Sequence, residues 1–229
     1  SDNRAWVTAT ATAENSQAVG LDAVQIDASN LGFDLNIGIG TDTVVDFDDT
    51  IAVPNEQGSV ALVADAANGR LIRVSADVDL EMGQFFSLKG SVGIEKSLRE
   101  VVLADGSHVQ TNMLAIGGTD LYAFAGVGGP YWIDAEGNYD ADGAVGLVLG
   151  DVDFGMALMS ATEGQSFSQD LQWTALQATA GTVDLVGLNN ITISASDISV
   201  DINTVTGVDA AFDVDSKVID FSSDEVDPF

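Results

Sequence analysis

Between Trp132 and Ala144 the chain reads IDAEGNYDADG, and oxygen-bearing side chains fall at every second position: Asp134, Glu136, Asn138, Asp140 and Asp142. The run Asn138-x-Asp140-x-Asp142-Gly143 matches the opening of an acidic calcium loop. Ca2+ takes about six to eight oxygen ligands at about 2.3–2.6 Å, and alternate oxygens followed by glycine let a short segment curl around one ion. The twelfth position from Asn138 is Leu149, so the bidentate glutamate of a helix–loop–helix site is missing. Two readings stand: a Ca2+ site on a loop between strands, or a polar hairpin loop whose carboxylates face water. Tyr131, Trp132 and Tyr139 adjoin these residues, with Tyr122 and Phe124 upstream. Rings with apolar faces and polar tips suit a glycan-stacking platform, and they suit core packing equally in kind.

Other acidic sets are less specific. Asp42, Asp46, Asp48 and Asp49 lie in TDTVVDFDDT, and Asp77, Asp79 and Glu81 share the polar side of one strand pattern. A charged strand face is ordinarily a solvated face that discourages edge pairing. A glycosidase pair needs a defined carboxylate separation, and 36 acidic residues produce neighbours regardless. His108 stands near Ser107 and Asp105, where a nucleophile–base pair competes with an exposed hairpin residue. No cysteine is present and His108 is the sole histidine. Disulfides, a thiolate nucleophile, Cys-ligated zinc and His-rich metal sites are therefore excluded. The expectation is a non-enzymatic protein.

The formal charge is −29, from 36 Asp and Glu against 7 Lys and Arg, which makes nucleic acid an implausible partner. With 46% hydrophobic residues the chain is no disordered acidic tail. The longest apolar stretch, around Leu121 to Trp132, is broken by glycine and too short to span a bilayer as a helix. No basic leader opens the sequence, and no transmembrane segment is expected.

The chain repeats itself. Residues 6–36 and 173–203 align without a gap at an offset of 167, with twelve identities in 31 positions. Trp6 meets Trp173, Ala11-Thr12-Ala13 meets Ala178-Thr179-Ala180, Val19-Gly20-Leu21 meets Val186-Gly187-Leu188, and Ile26 meets Ile193. Ala28-Ser29 meets Ala195-Ser196, Asp34 meets Asp201, and Asn36 meets Asn203. Val45-Asp46-Phe47 recurs as Ile219-Asp220-Phe221 at an offset of 174. Residues 1–229 read as one repetitive all-β region: a period of 167 residues (6–172) plus the start of the next copy (173–229), cut from a longer array.

The elements that position these residues are strands. From Ile72 to Ile94 apolar side chains occupy even positions and polar ones odd positions, the period of a half-buried strand. A three-residue loop, Gly83-Gln84-Phe85, keeps Met82 and Phe86 in phase. Elsewhere the apolar parity switches, as across Gly150-Asp151 from Val145, Leu147 and Leu149 to Val152, Phe154, Met156 and Leu158. Read as tight hairpins, such switches predict turns at Gly150-Asp151, Ser196-Asp197 and Ser29-Asn30, with Leu149 opposite Val152 in the first. Asp105-Gly106 predicts a fourth, pairing Val102 with Val109. Gly58 to Asn68 predicts a short helix or another strand. The sum is some fourteen short strands in an elongated, repetitive antiparallel β meander, sandwich-like or groove-like. A parallel β-solenoid is the alternative.

The segments GSVGIEKS (90–97), VVLADGSHVQTNMLAIGGTDLYAFAGVGGPYW (101–132), AVGLVLGDVDFGMALM (144–159) and VGLNNITISASDISVDINT (186–204) resemble, in this order, tandem repeat modules of very large bacterial extracellular, often adhesin-like, proteins. These strings are turns and strands, so they specify a repeat type more than an activity. The resemblance implies a secreted or bacterial cell-surface protein whose modules act as spacers or exposed binding units, commonly stiffened by calcium. The nonapeptide GGxGxDxUx of calcium β-rolls is absent, so that mode of binding is not implied. The expected function is a structural or adhesive repeat module stabilised by Ca2+, partnered by neighbouring repeats of the same chain. The alternatives are a module binding glycan or another surface ligand and, third, a lipid-carrying β-groove.

Overall fold

Aliphatic side chains at every second position bury one side of an extended chain only if other strands lie beside it, and this sequence supplies them in succession. The computed structural model describes residues 3–18, 24–47, 50–56, 58–129, 143–162, 171–188, 190–207 and 217–221. They contain β1 (Ala5–Ala18), β2 (Val24–Ile39), β3 (Ile51–Asn55), β4 (Gly58–Leu62), β5 (Leu71–Met82), β6 (Phe86–Val102), β7 (His108–Val127), β8 (Val145–Ala161), β9 (Gln172–Val186) and β10 (Ile193–Thr206). Eight of them form one sheet in the order β1-β2-β5-β6-β7-β8-β9-β10, every pairing antiparallel, while β3 and β4 make a separate hairpin. The meander is thus the architecture, and the parallel solenoid is set aside. β1 and β10 are outer strands, so the sheet is open.

The strands are fewer and longer than the fourteen short ones expected. The reason lies at Asn30, Asp120, Asp151 and Asp197, which hold φ of 52–53° inside continuous strands. Asn and Asp enter this left-handed region more readily than other side chains. At Asn30, Asp120 and Asp151 an extra residue bulges against one neighbouring strand, whereas at Asp197 the β9–β10 register runs on unbroken. The predicted turns at Ser29-Asn30, Gly150-Asp151 and Ser196-Asp197 are therefore not turns, and Leu149 pairs with Ala123 and Val183 instead of Val152. The parity argument survives in altered form. Ala28 lies opposite Val78 and Phe33 opposite Val74, both even positions of unbulged β5, so the extra residue keeps the apolar set on one face. A hairpin and a bulge share the same residue preferences, and only pairing partners tell them apart.

Two turns do form. Met82 pairs with Phe86 around Gly83-Gln84-Phe85 as expected. The reversal at Asp105-Gly106 is also present, but Val101 pairs with Val109 and Val102 with His108, one residue away from the expected register. Leu103 N–H donates to Ser107 O (2.8 Å) and Gly106 N–H to Leu103 O (2.8 Å), so five residues rather than two make the connection. The segment 58–68 is strand β4 followed by a single 3₁₀ turn, Ala66–Asn68, whose Ala67 N–H is capped by Asp65 Oδ1 (2.8 Å). Among the described residues no helix is long and apolar enough to cross a membrane.

One face carries an unbroken apolar row. Ala11, Phe33, Val74, Ile94, Ile116, Met156, Leu176 and Ile202 stand directly opposite one another across all eight strands. The opposite face holds the main core: Val101, Leu103, Val109, Met113, Ala157, Met159, Ala161, Leu171, Trp173, Ala175 and Ile219. Ile219 arrives from outside the sheet and bridges to Leu103. A smaller core gathers Phe124, Ala144 and Val148, with Tyr122 and Val186 packed against it.

Candidate functional site

The expected metal ligands Asp134, Glu136, Asn138, Asp140 and Asp142, and the rings Tyr131, Trp132 and Tyr139, lie outside the described residues. What is described is their frame. Val127 at the end of β7 pairs with Val145 at the start of β8, so the chain between them leaves and re-enters the sheet at one place. Of the upstream rings, Phe124 is fully buried core and Tyr122 packs beside it.

The remaining acidic sets are engaged locally. Asp77 accepts from Ser91 Oγ and from Asn30 Nδ2 (2.7 Å), and these bonds hold its carboxyl below the usual range, the Ser91 bond most. Asp79 pairs with Lys89 (3.2 Å), Asp42 approaches Arg70 (3.8 Å), and Asp46 accepts from Ala66 N–H (3.4 Å). Asp48 and Asp49 lie outside the described residues. On the core side of the sheet Arg73 places Nε (3.0 Å) and Nη2 (2.7 Å) on Glu95 Oε2, and Arg99 Nη2 lies 3.3 Å from Oε1. Burial works to raise the Glu95 pKa, but the Arg73 hydrogen bonds and the two guanidinium charges outweigh it, and the net direction is down. Among the described residues Arg70, Arg73, Lys89, Arg99 and Lys217 thus pair with particular carboxylates. Among the described residues no three His, Asp or Glu side chains converge as a metal-ligand set.

Ser107 and His108 point to separate carboxylates. Ser107 Oγ donates to Asp105, whereas His108 Nδ1 lies 3.1 Å from Glu100. Lys217 Nζ also donates to Asp105, and this bond, ahead of that from Ser107, lowers the Asp105 pKa to about 2. These residues tie the turn to the segment around Lys217, and the Ser107 hydroxyl bonds to Asp105 while His108 Nδ1 faces Glu100.

The most organised construction in the molecule occurs twice. β1 pairs with β2, and β9 with β10, in the same register once 167 is added: Trp6 opposite Gly38 and Trp173 opposite Val205, Ala13 opposite Leu31 and Ala180 opposite Ile198. The left-handed residues Asn30 and Asp197 fall at matching positions. Thr10 Oγ1 donates to Asp34 (2.9 Å), and Gln177 Nε2 donates to Asp201 (3.1 Å). Beyond each hairpin the chain crosses back as a strap that the aligned asparagine grips. Asn36 Nδ2 donates to Val45 O (2.7 Å), and Asn203 Nδ2 to Ile219 O (2.8 Å). Trp6 Nε1 donates to Thr43 Oγ1 (3.1 Å) and Trp173 Nε1 to Lys217 O (2.7 Å). Sequence reasoning aligned both Asn and both Trp but gave the asparagines no role. The signal was the pairing of an aligned Asn with a recurring Val/Ile-Asp-Phe downstream.

On the other face Val74, Ile94 and Ile202 of the apolar row are exposed, as are the nearby Leu158 and Val200, while Phe33, Ile116, Met156 and Leu176 are half-buried. Comparison with family models, curated proteins and solved structures finds no match.

Proposed function

We propose that this chain is a structural repeat module, a unit of an extended β array at a bacterial cell surface or in a secreted protein. The observation that carries the reading is the twofold occurrence of hairpin, left-handed Asn or Asp, asparagine clip and strap, with a constant 167-residue offset between the hairpins. Such a unit stacks on its neighbours and acquires stiffness through repetition rather than through a reaction centre. Selective binding on a glycan array, lost in Trp132→Ala, would replace this reading by that of a ligand-binding module. A spacer gives no selective signal.

Calcium belongs to the same proposal. The alternating oxygens at 134–142 suit a hard cation, and both ends of that segment are fixed to adjacent strands by the Val127–Val145 pair. Net charge of −29 makes cation binding favourable for the folded chain as a whole. Thermal unfolding in EDTA, Ca2+ and Mg2+ at matched ionic strength tests it. The expected outcome is a Ca2+-specific rise in Tm abolished by Asp140→Ala/Asp142→Ala, because a ligand that binds only the folded state at 100 times its Kd adds about 2.7 kcal/mol. An equal response to both ions leaves screening as the sole role of the acids.

One observation favours a second reading. A contiguous apolar row on a single sheet layer, half-buried or exposed from strand to strand, is the surface an acyl chain would cover. Native mass spectrometry of gently purified protein that reveals bound lipid would support a lipid-carrying groove, and a clean apo mass would sink it.

A further inference from the structure

Resting on the repeat reading, we propose that the outer edge of β1 is a docking edge for a β8-type strand from another copy of the period, with Trp6 closing into that neighbour's core. Strand β9, the counterpart of β1, shows what such an edge accepts. One edge of β9 holds β10 and the other holds β8, in a ladder running from Gly146 opposite Val186 to Ser160 opposite Gln172. β1 holds β2 in the same register, while its other edge is the edge of the sheet. The difference shows in the tryptophans: Trp173 is 1% exposed and Trp6 46%. The indole of Trp6 is already oriented for closure, since Thr43 holds its Nε1 as Lys217 O holds that of Trp173.

A second observation is independent of the repeat. Outer strands in monomeric proteins are blunted by Lys, Pro or brevity, because a bare ladder recruits other strands. β1 runs for 14 residues, AWVTATATAENSQA, with no Lys, Arg or Pro and a single charge at Glu14. In the docked register Met159 of the neighbour meets Trp6, Phe154 meets Ala11 and Val152 meets Ala13, the same contacts that Trp173, Ala178 and Ala180 make now. Two positions are tight: Thr8 stands where β9 has the buried Ala175, and Glu14 where β9 has Gly181, at which a Cβ would lie 3.0 Å from Asp151 of β8.

The test moves the β1–β2 hairpin onto β8. In the full chain residues 173–203 are replaced by residues 6–36, with Trp6→Phe and Trp132→Phe elsewhere, so the transplanted indole is the sole reporter. A companion version carries Thr8→Ala and Glu14→Gly in the transplanted segment, matching Ala175 and Gly181 of β9. The expected result is a folded chain whose indole emits as far to the blue, and resists acrylamide quenching as well, as Trp173 in the same Phe background. A folded chain whose indole is quenched several-fold faster, like native Trp6, overturns the proposal. So does failure of both versions to fold. Either of these failures would leave the spacer reading on its remaining support, whereas a selective glycan signal would overturn that reading without moving the reporter.

Discussion

The hairpins β1–β2 and β9–β10 share register, a left-handed residue and clips, yet their burial differs sharply. Ala175 and Ala180 are buried on β9, while the residues of β1 range from half-buried to exposed. The local program is therefore the same in both, and the neighbour decides what it is worth. Strand β8 and the Val101–Val109 corner cover Trp173; among the described residues β1 has no strand on its other side.

The largest expected break in the comparison is at the tryptophans. Trp173→Ala opens the main core and should cost about 3–5 kcal/mol, whereas Trp6→Ala should cost under about 1 kcal/mol. Urea titration of the two variants measures both. If they cost the same, Trp173 is not the centre of the core.

The asparagine clips should reverse that order. Asn36 is 4% exposed and holds Val45 from both sides, donating from Nδ2 and accepting Val45 N–H at Oδ1 (3.2 Å), whereas Asn203 makes the Nδ2 bond to its strap. Asn36→Ala strands a buried amide and a buried carbonyl and should cost about 1–3 kcal/mol, with Asn203→Ala costing less. Hydrogen exchange at Val45 should accelerate in the first variant.

The left-handed residues sharpen the likeness. Asp197→Gly should be nearly neutral and Asp197→Val should cost about 1–2 kcal/mol, since a β-branched side chain opposes a φ of 53°. The same pair at Asn30 should show a similar difference, and unequal differences would mean that the two positions are not equivalent.

The smallest effect is in acid. The Asp105 pKa, about 2, is depressed from the ordinary 3.8 by Lys217 and Ser107. Its contribution to stability is full above about 3.8 and is lost as pH falls from 3.8 toward 2. Acid therefore loosens the second strap, and Asp105→Asn should flatten the stability–pH curve in that window. The first strap has Thr43 in the place of Lys217 and lacks this sensitivity.

Alternation and turn chemistry made the all-β class and the Gly83–Phe85 loop legible before any coordinates. They misplaced the turns at Asn30, Asp151 and Asp197 because a left-handed Asn or Asp between apolar runs of opposite parity describes both a hairpin and a bulge. The slip at Val102 has a similar origin, since Asp-Gly marks the reversal without fixing how many residues flank it. The clips were hidden because an amide's partner lies 9 residues away in one copy (Asn36 to Val45) and 16 in the other (Asn203 to Ile219). The acidic loop was legible as a ligand pattern, and its residues lie outside those described.

The meander order has a mechanical consequence. Each sheet strand other than the two at the edges is bonded to two neighbours, and apart from the detour through β3 and β4 they follow chain order. Tension applied between β1 and β10 would load the ladders from the outside inward, opening hydrogen bonds in sequence rather than shearing a whole interface at once. Such a sheet pays out length at low, nearly constant force. Its stiffest part, the core around Trp173, spans β6 to β9, so one end would yield before the other.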